Sequence, residues 1–238
     1  MSTMTELNRT EVTDRYRYGD LPALMTRMTG DEKHASSATS TLDVLWVLYD
    51  RVLRVTPSTM DDPDRDRFLL SKGHGPMAYC AVLAAKGFIP VQWLDTFGQL
   101  DSPLGHHPDR VLVPGVEISS GSLGHGLPIA VGVALGQRAQ CQGGRTFVLV
   151  GDAELDEGTN HEAIAYAGAT GLDRLTAIVV DNQSATHGWP GGIATRFSVN
   201  GWSTATVDGR DHEALEAALI EPSPGRPHVV VAVVEPKE

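Results

Sequence analysis

Two cysteines in 238 residues, Cys80 and Cys141, are too few for a disulfide framework. Both fall in segments that read as helices, so buried free thiols are expected. Positive charge is scarce: 19 Lys and Arg stand against 30 Asp and Glu, a net charge of −11. With no Lys/Arg cluster, this excludes a nucleic-acid or anionic-membrane surface. No apolar run approaches the roughly 18 residues of a membrane span. The first twenty residues hold no apolar core and no cleavage signal. A soluble, cytoplasmic chain is expected. Several motifs are also missing. There is no G-x-x-x-x-G-K-[ST] and no Cys/His spacing for zinc. The stretch from Asp152 to Ala163 opens like a calcium loop. It fails because Glu157 stands where Gly is needed and Ala163 where Glu is needed.

What is present is glycine: 25 of 238, about a tenth, against an average near 7%. Residues 1–19 read as a polar lead-in, and 20–238 as a single domain. Thr41–Arg54, Met77–Lys86, Leu127–Ala139, Gly158–Gly171 and Asp211–Leu219 read as helices, and Val91–Leu100 as a short one. Residues 56–66 and 101–114, rich in Pro and Asp, read as loops. Thr146–Val150 and Thr176–Val180 are continuous apolar runs, as expected of strands buried on both faces. Ser203–Val207 is a weaker strand and Val229–Val234 a fourth. The alternation predicts an α/β fold with a mostly parallel sheet flanked by helices.

In such sheets ligands bind at the carboxyl ends of the strands. Asp152 follows the first apolar strand and Asn182 the second, thirty residues apart. That is about one βαβ unit, which predicts adjacent strand ends. A carboxylate and an amide oxygen there are hard ligands, suited to Mg²⁺ completed by water and a substrate phosphate. The spacing equally allows a capping aspartate and a turn-forming asparagine. Gly121-Ser122-Leu123-Gly124-His125-Gly126 opens the Leu127 helix, and reads either as an anion-binding loop or as a packing loop. His34, His74, His106, His107 and His125 lie in or beside loops, where a histidine can reach a polar ligand or simply face water.

Three ordered stretches carry a resemblance: SKGHGPMAYCAVLAAKGF, PGVEISSGSLGHGLPIAVGVALG, and GDAELDEGTNHEAIAYAG followed by LTAIVVDNQ. Together they resemble the N-terminal, thiamine diphosphate-binding part of transketolase, over about residues 20–235. The resemblance implies a thiamine diphosphate-binding fold and the cofactors thiamine diphosphate and Mg²⁺. It implies that Asp152, Asn182 and the Ser184 carbonyl hold the metal. Gly121, Ser122, Leu123, Gly151, Ala153 and His74 would lie against the diphosphate, and His34 and His107 would face substrate. Glu157 and Glu162 would meet across a subunit interface. Ala153 replaces the family's second glycine in G-D-G, which a methyl allows only at negative φ.

The family continues past this chain's VVVAVVEPKE into a pyrimidine-binding domain that carries the cofactor-ionising Glu. The resemblance therefore implies a split enzyme. A C-terminal transketolase-like subunit would complete it, as α₂β₂. The implied reaction is two-carbon ketol transfer from a ketose-type donor to an aldehyde. The changed neighbours of the histidines, Lys33-His34-Ala35, His106-His107 and Gly124-His125-Gly126, depart from the family and point to a substrate outside the common sugar phosphates, as in specialised metabolism. The alternatives are a 2-oxo acid decarboxylating acyl-transfer subunit, and a non-catalytic scaffold.

Overall fold

Three apolar runs form the centre of a five-stranded parallel sheet in the computed structural model. It describes residues 16–28, 36–73 and 75–236. The strands are β1 (Arg67–Leu70), β2 (Thr146–Gly151), β3 (Leu175–Asp181), β4 (Ser203–Asp208) and β5 (His228–Val233), in the order β1-β2-β3-β5-β4. Alternation along β2 explains its unbroken apolarity. Phe147 and Leu149 enter one core, and Val148 and Val150 the other. Strand β4 lies at an edge and alternates between half-buried and exposed. Its weaker sequence signal follows from that position.

One face is covered by α1 (Leu21–Thr26), α2 (Ser36–Thr39), α3 (Leu42–Val47), α4 (Pro76–Ala85) and, later in the chain, α8 (His212–Ile220). The other carries α5 (Gly126–Ala139), α6 (Gly158–Thr170) and α7 (Gly192–Ser198). A π turn over Leu48–Val52 extends α3. Val91–Thr96 is a 3₁₀ turn rather than a longer helix. Tyr18 packs edge-on against His212, with ring centres 4.6 Å apart, so the end of the lead-in is part of the fold. Among the described residues no helix is long and apolar enough to cross a membrane.

The structure departs from the sequence pattern elsewhere too, and helices α1 and α2 are not expected from it. Strand β1 has no counterpart there; its four residues are too few to show a period. Helix α7 has none either, because it follows Gly-Trp-Pro-Gly-Gly and starts from Gly191 at φ +83°. Cys141 is exposed, not buried. It lies past the end of α5, at φ +57°, outside the helix expected to cover it.

Asp66 locks the amino end of the sheet. Its buried carboxylate accepts from Arg54 Nη2 at 2.9 Å and from Arg145 Nη2 at 2.7 Å, and from both backbone N–H groups. Burial raises its pKa, but the bonds from Arg54 and Arg145 outweigh this and hold it at about 2, below the ordinary 3.8. The folded-state pKa is depressed, so this stability is present above pH 3.8 and is lost as pH falls toward 2. It amounts to roughly 2 kcal/mol. We expect Asp66→Asn to lower the unfolding midpoint at neutral pH and to flatten its fall between pH 4 and 2. Thermal unfolding against pH checks this; an unchanged slope would count against it.

Candidate functional site

The carboxyl ends of β2 and β3 lie side by side, with Gly151 opposite Val180. Asp152 N–H donates to the Val180 carbonyl at 3.1 Å, so the thirty-residue spacing does bring the strand ends together. Asp152 is 3% exposed. It caps the 3₁₀ turn Ala153–Asp156, accepting from Ala153 N–H at 2.8 Å. Capping is only part of its work. It also accepts from Ser184 Oγ at 2.6 Å, Ser184 N–H at 2.6 Å and Ala185 N–H at 3.1 Å. One carboxylate thus ties the loop after β2 to the loop after β3. Gln183, at φ +57°, turns that second loop back toward it.

Asn182 lies in the same loop, 4% exposed, and its side-chain amide makes no hydrogen bond to the described residues but keeps contact with solvent. The amide is not among the buried polar atoms cut off from solvent, so it stands open to water or to a ligand at the strand ends. Among the described residues no three His, Cys, Asp or Glu side chains gather as a metal cluster. One carboxylate beside one amide fits Mg²⁺, which takes few protein carboxylates, and does not fit zinc. Here Ser184 acts as a donor to Asp152. Ala153 has negative φ, since among the described non-glycine residues only Cys141 and Gln183 are positive. The methyl in place of glycine is therefore unstrained.

The Gly-rich loop stands beside these strand ends. Gly121 has φ +141°, and a Cβ there would meet the His107 ring at 3.0 Å. A Cβ on Gly73 would meet the Gly121 backbone at 3.0 Å. His107 Nδ1 lies 2.9 Å from the Gly73 carbonyl. A carbonyl only accepts, so Nδ1 carries the proton and Nε2 is left for another partner. His107, Gly73 and Gly121 thus meet although they are far apart in sequence. The N–H groups of Gly121, Ser122, Leu123 and His125 have no backbone or side-chain acceptor among the described residues. Helix α5 follows directly, so its positive end adds to an anion-receptive surface. The stem of Lys72 passes Gly151, and its Nζ donates to Ser40 Oγ at 3.0 Å.

Glu157 and Glu162 are exposed at the start of α6, and Glu157 packs against Gly124. His34 and His74 lie outside the described residues. One residue carries no sequence signal of its role. Glu154 is 2% exposed and accepts from the Ser71 hydroxyl, from Gly124 N–H at 2.9 Å and from Gly151 N–H at 3.2 Å. Burial holds its pKa above the ordinary value, while those three donors pull it down. The sequence shows it only as one of four neighbouring carboxylates.

These features define a parallel α/β domain whose strand ends gather a buried aspartate, an asparagine and a glycine-rich loop. The family model described as "Transketolase, thiamine diphosphate binding domain" matches residues 26–233. The chain belongs to that family, so the transketolase-like, thiamine diphosphate-binding reading holds. It is 37% identical over 207 residues to one subunit of the apulose-4-phosphate transketolase of Actinobacillus succinogenes, covering 84% of this chain and 75% of that one. It is 59% identical over 220 residues to "Ferredoxin fas2" of Rhodococcoides fascians, covering 92% of this chain and 72% of that one. That name does not carry over: two cysteines cannot supply the thiolates of a Cys₄ iron–sulfur cluster. The transketolase from Leishmania mexicana superposes with a TM-score of 0.73 at 25% identity, over 92% of this chain. This chain spans only 36% of that structure's length.

Proposed function

We propose that this chain is the diphosphate-binding subunit of a two-component, thiamine diphosphate-dependent transketolase-like enzyme. The observation that carries it is the single edge on which Asp152, Asn182, the Gly-rich loop and His107 meet. Asp152, Asn182 and Ser184 would hold Mg²⁺. Gly121, Ser122, Leu123, Gly151, Ala153 and His74 would hold the diphosphate. His107, through Nε2, and His34 would bind and orient substrate hydroxyls. Thiamine diphosphate supplies the means to hold a carbanion equivalent at a carbonyl carbon. A two-carbon ketol unit leaves a ketose-type donor and joins an aldehyde: one C–C bond breaks, one forms, and nothing is oxidised.

The partner would be a C-terminal subunit with the pyrimidine-binding domain, docked near Glu157 and Glu162 in an α₂β₂ assembly. The Actinobacillus relative, named as one subunit of its transketolase, supports this. A net charge of −11 also leaves little cation for an anionic substrate, so the partner would supply it. The test compares the purified chain with the complex drawn from its native host by a tag on this chain. Both are assayed for ketol transfer with thiamine diphosphate and Mg²⁺. We expect no turnover from the chain alone and turnover from the complex. Full activity of the chain alone would overturn the split reading.

A further inference from the structure

The turn after β2 carries two buried carboxylates that reach in different directions. Asp152 reaches the loop after β3. Glu154 reaches Ser71 before α4, Gly124 in the Gly-rich loop and Gly151 at the end of β2. Ser71 Oγ in turn accepts the Gly126 N–H at 3.0 Å, at the first residue of α5. Asn160 of α6 steadies the turn from below, its Nδ2 donating to the Glu154 carbonyl at 2.6 Å.

We propose that Glu154 is a positioning residue for the cofactor site, fixing the Gly-rich loop and the SKG loop against the end of β2. The proposal rests on the reading of these loops as the diphosphate site. Two segments distant in sequence converge with the end of β2 on one carboxyl group, which does not itself face the open side. A buried carboxylate is an expensive way to gain stability alone, since well-packed apolar groups do as well. What it adds is direction. By taking up Gly124 N–H, and Gly126 N–H through Ser71, it decides which donors of the loop remain. Those are Gly121, Ser122, Leu123 and His125, the exposed or half-exposed side of the loop. Glu154 occupies the inward donors and leaves the outward ones for an anion.

The experiment uses the full chain as wild type, Glu154→Gln and Glu154→Ala, with Leu215→Ala in the far core as a control of lowered stability. Amide hydrogen exchange is followed at Gly124 and Gly151. Calorimetry measures binding of thiamine diphosphate with Mg²⁺, to the chain and to its native complex. We expect Glu154→Ala to weaken cofactor binding roughly 10- to 100-fold, the range found when groups orienting a ligand shell are removed. Exchange should quicken at Gly124 and Gly151. Glu154→Gln keeps one acceptor and should fall between. Leu215→Ala should lose stability without the affinity loss. If Glu154→Ala binds as wild type does, or loses no more than Leu215→Ala, the role of Glu154 is overturned and the site reading stands. If wild type binds in neither form, the site reading itself falls, and the proposal with it.

Discussion

Asp152→Ala is expected to weaken magnesium-dependent binding of thiamine diphosphate roughly 100-fold and to lower stability at the same time. The two losses have separate causes. The carboxylate accepts hydrogen bonds from Ala153, Ser184 and Ala185 while 3% exposed. Removing it leaves N–H groups in a dry site without an acceptor, at about 1–3 kcal/mol for each group left unpaired. Part of that is relieved as the 183–185 loop opens to water, so a net loss of about 2–4 kcal/mol is expected. Binding falls for a different reason: Asp152 is the carboxylate at the point where β2 and β3 end together. Roughly a 100-fold loss of affinity corresponds to about 2.7 kcal/mol. Asp152→Asn separates the causes. It keeps one acceptor for the loop and discards the charge. We expect it to recover much of the stability and little of the binding. Calorimetry with Mg²⁺ and thiamine diphosphate, paired with thermal unfolding, reads both. Wild-type affinity in Asp152→Asn would remove Asp152 from the metal site.

The parts of this site that are legible in the sequence are those that a local pattern encodes. Strands β2, β3 and β5 announce themselves because both of their faces are buried and each carries an unbroken apolar run at its centre. Asp152 and Asn182 follow from counting residues past those strands. Helix α7 and strand β1 are not legible. The first is masked by its glycine-rich approach, and the second is too short for a period of two to show. Glu154 fails for another reason. Its burial depends on Ser71 and Gly124, which lie far away in sequence, and polar pairs of long sequence separation leave no period. The meeting of His107 with Gly73 and Gly121 is of the same kind. Its loop position marks His107 only as one of five candidate histidines, and the family resemblance alone sets it at the substrate.

Gly126→Ala provides the second large effect, and its sign is the informative part. Gly126 is the first residue of α5, where helix propensity alone favours alanine by up to about 1 kcal/mol. Packing argues the other way. A Cβ there would sit 2.2 Å from both Cβ and Oγ of Ser71 and 2.8 Å from its Cα. Ser71 cannot step aside cheaply, because its hydroxyl links Gly126 N–H to Glu154. Overpacking of this kind costs about 1–3 kcal/mol, which exceeds the propensity gain. At about 2–4 °C per kcal/mol for a chain of this size, the melting temperature should fall by several degrees. Cofactor binding should weaken with it, since the SKG and Gly-rich loops are forced apart. The same helix supplies its own control. Cβ atoms on Gly132 and Gly136 would meet nothing within 4 Å. Gly132→Ala and Gly136→Ala should therefore stabilise the isolated chain by about 0.5–1 kcal/mol each, and raise its melting temperature. One substitution in one helix is thus expected to carry opposite signs, decided by whether Ser71 stands in the way. Thermal unfolding of the three variants decides it, and a stabilised Gly126→Ala would mean that the two loops do not meet as described.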